Sequence, residues 1–226
     1  MSYLTWSEQT ISNFSNENIN RLYNDGYVFT RIGKGVMHQT RSLRINLEKF
    51  SIYTKNTRVL NSTKDVLLES HPIPYSDYHW SIHKLGKDFY TNKFNDVEFS
   101  AQKIKELITD KEKSNYNALF VYKKNDEAVG YTICKETDEL IHYAYPFYRL
   151  DIDIRNLGMG MMLKAIIYAK EQGKKYVYLG SAQRPTDTYK LQIRGLEWFD
   201  GKEWKVETDE LKHVLQSTHG DESITA

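Results

Sequence analysis

The chain has 226 residues, slightly long for one average domain and short for two. Lys plus Arg 31 against Asp plus Glu 30 leaves a net charge of +1, which excludes a strongly basic nucleic-acid coat or an acidic tail but not a local basic patch. Hydrophobic residues at 40%, with only 12 Gly and 4 Pro, exclude global disorder and collagen-like or low-complexity chains. The single cysteine, Cys134, rules out an internal disulfide and a cysteine-built zinc or iron–sulfur cage, and fits a reducing compartment. The opening Met1-Ser-Tyr-Leu-Thr-Trp-Ser-Glu8 lacks the basic and apolar regions of a secretory signal. No apolar run approaches the ~20 residues a bilayer needs. A soluble, cytoplasmic chain with no membrane partner is expected.

In chain order, a helix is predicted over 16–25, closed by Gly26. Residues 27–32 and 36–47 read as extended, joined by Gly33-Lys34-Gly35, and Leu43, Ile45 and Leu47 alternate with Arg44 and Asn46 as in a half-buried strand. A basic, polar stretch at 55–58 precedes an extended piece over 65–70. A helix over 74–93 carries Trp80, His83, Lys84 and Lys87 at helical spacing. Phe99, Ser100 and Ile104 then read as staple, N-cap and staple partner of a second helix. Three runs, 118–123, 127–135 and 139–145, separated by short polar turns, predict an antiparallel meander. After 151–160, Met159, Met162, Leu163, Ile166 and Ile167 mark the apolar face of a helix stopped by Gly173, and 175–179 forms a compact strand. A hairpin with a type I′ turn at Asp200-Gly201, a helix over 207–216 and a frayed tail over 217–226 complete a mixed α/β pattern.

The run Arg155-Asn-Leu-Gly158-Met-Gly160 joins a strand region to a helix start, where unpaired N–H groups and the helix dipole favour a phosphate. The competing reading is a helix whose first turn packs tightly on the sheet. With the meander before it and the helix and strand after it, this run resembles the donor loop of the GNAT-type acyltransferases. The resemblance implies an α/β (α+β) fold, a GNAT N-acyltransferase-like mixed sheet with flanking helices, here preceded by an N-terminal basic α/β portion. The expected division is 1–70 for that portion, 71–216 for the core and 217–226 for the tail.

A narrower branch is similar over most of residues 20–195: the tRNA-dependent aminoacyl-protein transferases, arginyl- and leucyl-transferring. The matching runs are Tyr143-Ala-Tyr-Pro-Phe-Tyr-Arg149, Leu157-Gly158, Ile166-Ile-Tyr-Ala-Lys-Glu-Gln-Gly173, Tyr176-Val-Tyr-Leu-Gly180 and Tyr189-Lys190. In the N-terminal half, Thr40-Arg-Ser-Leu-Arg-Ile-Asn-Leu-Glu-Lys-Phe50 with Ser51, Lys55, Arg58 and Val59 is similar to the family's basic strand and arginine-rich turn. The chain departs from the pattern at Gly33 to Gln39, which lacks the family's cysteine cluster, at Ser181 to Thr188, and at Trp198 to Trp204.

The resemblance implies transfer of an amino acid from aminoacyl-tRNA to the N-terminal amine of a protein or peptide. Two alternatives stay open: an acyl-CoA-dependent N-acetyltransferase, and a non-catalytic relative. No resident cofactor is expected, aminoacyl-tRNA being a co-substrate and acetyl-CoA the alternative donor. Such a transfer needs a neutral amine, a place for the oxyanion and protonation of the leaving oxygen. Tyr178, Asp187 and Tyr189 are the candidate catalytic residues, and Arg155, Leu157, Gly158, Gly160, Tyr145 and Lys190 the candidate donor-binding set. Arg41, Arg44, Lys55 and Arg58 are candidates for tRNA phosphates, against the alternative of a solvated strand face. Arg184 and Arg194 suit an acidic acceptor side chain. No metal is expected: His79 and His83 are i, i+4 but lack a third ligand, and Cys134 reads as a small core residue.

Overall fold

A computed structural model describes residues 4–217. The elements run β1 (Ser7–Thr10), α1 (Asn16–Asn24), β2 (Tyr27–Phe29), β3 (Val36–Gln39), β4 (Ser42–Asn46), α2 (Thr54–Ser62), β5 (Leu67–Pro72), α3 (Trp80–Phe94) and α4 (Ala101–Thr109). They continue as β6 (Ala118–Lys124), β7 (Glu127–Glu136), β8 (Leu140–Tyr148), α5 (Leu157–Glu171), β9 (Tyr176–Ser181), a 3-10 helix (Pro185–Gln192), β10 (Leu196–Phe199), β11 (Trp204–Lys205) and α6 (Asp209–Ser217). A small sheet has the order β1-β3-β2, and an eight-stranded mixed sheet the order β11-β10-β4-β9-β8-β7-β6-β5. Every neighbouring pair in the large sheet is antiparallel except β8–β9. That pair is parallel because α5 carries the chain back over the sheet between them. Meander, loop, crossover helix and parallel strand form the arrangement that the GNAT resemblance implies.

The large sheet has a core on each face. One gathers α5, α6 and the inward residues Leu43, Ile45 and Trp198; the other gathers α1, α3, α4 and the small sheet over Ile133, Phe147 and Tyr178. The N-terminal 70 residues are woven into this unit, since β4 lies inside the large sheet between β10 and β9. Among the described residues no helix is long and apolar enough to cross a membrane. The tail expected over 217–226 lies outside the described residues, apart from Ser217 at the end of α6.

Local signals place most elements. Ser15 caps α1 by accepting from the Asn18 N–H at 3.3 Å, and Gly26 follows at φ 82°. Ser100 accepts from the Lys103 N–H at 3.1 Å, with Phe99 and Ile104 both buried. Several expectations are corrected. The extended run 36–47 divides at Thr40 and Arg41 into β3 and β4, which join different sheets. The basic stretch 55–58 lies in α2. The 74–93 helix begins only at Trp80, and His79 is its N-cap, so His79 and His83 do not share a helical face. Between β10 and β11 only Gly201 has positive φ, 106°, so the turn is not type I′, which needs two such residues. Finally, α5 is buried nearly all round, with Met161, Ala165 and Ala169 inside as well as the predicted Met162, Leu163 and Ile166.

Both glycines of the loop lie within the first turn of α5 and make close approaches. A Cβ at Gly160 would stand 2.5 Å from Thr63 Cγ2 and 2.6 Å from its Oγ1, and one at Gly158 would stand 2.9 Å from the Tyr148 ring. Thr63, just after α2, thereby docks that helix against the start of α5. Gly160→Ala should lower unfolding stability by about 1–2 kcal/mol, overpacking outweighing the gain in helix propensity. Denaturant midpoints measure this, and adding Thr63→Ala should recover part of the loss.

Candidate active site

The β8–β9 ladder has three rungs, Leu140–Tyr176, Ile141–Val177 and His142–Tyr178. Beyond them β8 runs on to Tyr148 and β9 to Ser181 without pairing to each other, so the sheet splays open. A register shift opposite Ile133 and Cys134 inserts Ala144 as a bulge in β8, turning its strand at the mouth of the splay. Tyr143 then belongs to the core on the α5 face, while Tyr145 packs on the opposite face against Phe99 and Tyr116, with ring centroids 5.1 and 5.4 Å away. Tyr145, expected on the donor, therefore stands on the side of the sheet away from α5.

At the α5 end, Asn156 takes a left-handed conformation and supplies no side-chain cap. In the first turn Leu157 N–H donates to the Ile154 carbonyl at 3.3 Å and Gly160 N–H to the Asn156 carbonyl at 2.9 Å, which leaves the Gly158 and Met159 N–H groups for an anion. Lys93 donates to the Tyr148 hydroxyl, which lines the same turn, and Arg155 is exposed in the loop. Leu157 is buried and serves packing only. A surface groove of about 430 Å³, walled by Phe89, Tyr131, Tyr148 and Arg149, lies between α3 and the end of β8. Ser62 Oγ donates to the Arg155 carbonyl at 3.0 Å, which fastens α2 to the loop. Lys55, Arg58 and Ser62 recur at helical spacing, so the exposed Lys55 and Arg58 extend one cationic stripe toward Arg155. Arg194, exposed, lies over the Tyr53 ring at 5.2 Å and donates to Ser51 at 3.4 Å, on the flank of the same helix. The structure thus brings together Lys55, Arg58, Arg155 and Gly158 from separate sequence segments.

Other candidates are corrected by their surroundings. Arg44 is 6% exposed, with Nε donating to Glu197 at 2.8 Å and Nη1 to Asn24 at 3.0 Å and Tyr178 at 3.3 Å. Its guanidinium is sandwiched by Tyr176 and Trp204, 4.1 and 3.9 Å from the ring centroids, and no phosphate can reach it. Tyr178 is 1% exposed beneath Tyr23, and burial outweighs Arg44 to push its hydroxyl up to about 12, so it is a core residue without contact to a substrate. Arg41 is half-buried and donates to the Ala182 carbonyl at 3.3 Å. Asp187 accepts from the Gln183 and Arg184 N–H groups at 2.9 and 3.0 Å and pairs with Lys190 at 3.3 Å. Burial raises its carboxyl, but Lys190 and those two N–H groups outweigh it and hold the group below the usual range. Asp187 and Lys190 thus fix the 3-10 helix over the splay, and Tyr189, 44% exposed, is the tyrosine of this segment that reaches solvent. Arg184 is exposed near Phe94, 5.8 Å from its ring centroid.

Sequence reasoning gave no role to Lys135, and none to His142 beyond its place in the strand before the donor loop. Cross-strand pairing aligns Lys135, His142, Tyr178, Arg44 and Glu197 in one row over five strands, all on one face and all buried. His142 Nδ1 lies 2.9 Å from Tyr23 Oη, and burial with Lys190 nearby lowers its imidazole to about 3. Glu197, which burial alone would raise, is held low by Arg44, Asn46 and Lys49. Removing Arg44 leaves the buried Glu197 with only Asn46 and the exposed Lys49, so Arg44→Ala should cost about 3 kcal/mol in chemical unfolding. Because the folded pKa of Glu197 is depressed, its share of stability is present above the unfolded carboxyl value and disappears as pH falls through the folded one. Arg44→Ala should therefore flatten the acid limb of the stability–pH curve.

A family model described as arginine-tRNA-protein transferase, C terminus, matches residues 73–200. An aspartate/glutamate leucyltransferase of Alkalilimnicola ehrlichii is 27% identical over 182 residues, covering 79% of this chain and 74% of that one. Another, from Ruegeria pomeroyi, is 31% identical over 96 residues, covering 42% of this chain and 35% of its own. Among solved structures, L-PGS from Bacillus licheniformis aligns at a TM-score of 0.47 and 14% identity, over 74% of this chain and 52% of that one. With more than half of its residues inside the family match, the chain belongs to the aminoacyl-tRNA–protein transferase family.

Proposed function

We propose that this protein transfers an amino acid, leucine first among candidates and arginine second, from aminoacyl-tRNA to the N-terminal amine of a protein beginning with Asp or Glu. One observation carries the reading: the cationic stripe of α2 is bolted to the start of α5, which has no side-chain cap and is the helix that crosses over between the splayed strands β8 and β9. Lys55, Arg58 and Arg155 contact phosphates of the tRNA acceptor end, which positions it without reading sequence. The aminoacyl ester enters the splay. There the acceptor amine attacks the carbonyl carbon, the C–N bond forms and the bond to the ribose oxygen breaks.

Backbone N–H groups on the edge of β8 past His142 have no β9 partner and can meet the developing oxyanion. The amine must lose a proton and the ribose oxygen gain one. Tyr189 is the exposed hydroxyl placed to relay it, with the Asp187–Lys190 pair holding its segment. Use of charged tRNA supports a cytoplasmic reaction. Gly158 and Gly160, which suited a coenzyme pyrophosphate, are accounted for by Tyr148 and Thr63.

Transfer assays with leucyl- and arginyl-tRNA, and acetylation assays with acetyl-CoA, test this reading. Transfer from tRNA without acetylation is expected, and acetylation alone would overturn it. Lys55→Ala with Arg58→Ala should weaken tRNA binding and lower the salt slope by about 1–2, one for each phosphate that is no longer neutralised. Tyr189→Phe should reduce the transfer rate about 10²-fold while leaving tRNA affinity unchanged.

A further inference from the structure

The buried polar row ends in a cation that the transfer reaction has not used. Lys135 stands directly opposite His142 across the β7–β8 ladder, so the two side chains share the face covered by α1. Only 9% of Lys135 is exposed. Arg44, in the same row, is matched by the Glu197 carboxylate. Among the described residues no carboxylate forms an ion pair with Lys135, and the cation Lys34 lies near enough to act on it. His142, next to it, feels Lys190, another cation. Burial, reinforced by Lys34, pushes the Lys135 ammonium down to about 8. A buried cation without a counter-charge costs the fold stability, and a bound anion removes that cost.

The row also fixes which nitrogen of His142 is a donor. Tyr23 Oη accepts from the Phe29 N–H at 3.4 Å, and burial keeps the phenol protonated, so its hydrogen points to His142 Nδ1 at 2.9 Å. The neutral ring then carries its hydrogen on Nε2, as a donor beside the ammonium.

We propose that Lys135, with His142 Nε2–H beside it, receives the side-chain carboxylate of the acceptor's first residue. The inference rests on the transferase reading and deepens it. His142 and Tyr178 form the last rung before the splay opens, and Lys135 lies one strand further on, on the face away from α5. A donor delivered from the α5 side and an acceptor held on the opposite face meet at the bulge around Ala144. Arg184 and Arg194, the exposed arginines that the sequence suggested for this task, are screened by water, where one charge discriminates weakly. A buried lysine discriminates strongly, because an Asn side chain of the same shape leaves its charge unpaired.

The test uses two synthetic peptides, one beginning with Asp and its twin beginning with Asn, with wild-type protein and Lys135→Met. Binding is measured by calorimetry without tRNA, and transfer by the leucyl- and arginyl-tRNA assays. Wild type should favour the Asp peptide in Kd and KM about 10- to 100-fold, the range of one charge-assisted contact. Lys135→Met should bring that ratio to near 1, raising KM for the Asp peptide with little change in kcat. Its melting temperature should equal or exceed that of wild type, and Lys135→Gln repeats the measurement should the Met variant fail to fold. A preference that survives both substitutions, or an equal drop in kcat for both peptides, would overturn the carboxylate site and leave the transferase reading standing. Asp-selective binding lost in Lys135→Met, with no transfer from either tRNA by wild type, would sink the transferase reading and leave the carboxylate site.

Discussion

Three rungs of parallel pairing join the two halves of the large sheet, and they stop at His142 and Tyr178. On one side lies the meander β5 to β8, on the other β9, β4, β10 and β11. A fully zipped join would leave no opening through the sheet, and a missing one would leave two small sheets with exposed edges. The Ala144 bulge ends the ladder's regularity, and the crossover through α5 holds β8 and β9 side by side while their far ends diverge. The candidate site is therefore a consequence of where backbone hydrogen bonding gives out. That is why its reactive surroundings are made from strand backbone and from segments that lean over it.

The rung at which pairing stops is also where the sheet is most polar. Arg44 and Glu197 neutralise each other there, with Asn24, Asn46 and Lys49 satisfying further hydrogen bonds and aromatic rings covering the guanidinium. Such a pair adds little net stability compared with apolar packing, but it penalises any register other than its own. A one-residue slip of β4 would turn Arg44 into the core of Leu43 and Ile45. The row thus fixes the register of β4, β9 and β10 beside the opening, where local pairing is weakest.

Elements defined by near neighbours were legible in the sequence: the caps at Ser15 and Ser100, the meander, α5 and the strand after it, and the family resemblance carried by Tyr143 to Lys190. What failed depended on distant partners. The alternation of Arg44 and Asn46 signals a polar strand face, but Glu197, 153 residues away, makes that face interior. The basic run at 55–58 was legible as a candidate for tRNA phosphates, but its place beside the start of α5 shows only where Thr63 and Ser62 meet Gly160 and Arg155. The glycine loop was legible both ways, as anion site and as tight packing, and the structure gives each glycine a packed neighbour while leaving the helix start uncapped. Lys135 and His142 carry no sequence signal of their own, since a lysine at the end of a strand is ordinarily solvated.

A net charge of +1 sets the remaining constraint. With no long-range positive field, the protein cannot gather tRNA from a distance, and recognition must come from a few cations placed where phosphates pass. The fold answers by separating its charges between the faces of the sheet. Lys55, Arg58 and Arg155 stand on the side where α5 begins, free of carboxylate partners among the described residues, while Lys135 is held on the other side under α1. On the proposed reading, a polyanion and a single carboxylate are met by different chemistry, exposed cations for the first and a buried one for the second. Exposed cations bind many phosphates weakly and exchange quickly, as a donor that must leave after each turnover requires. A desolvated cation gains only from a carboxylate that fills its site, and so it can select an acceptor without adding to the affinity for tRNA.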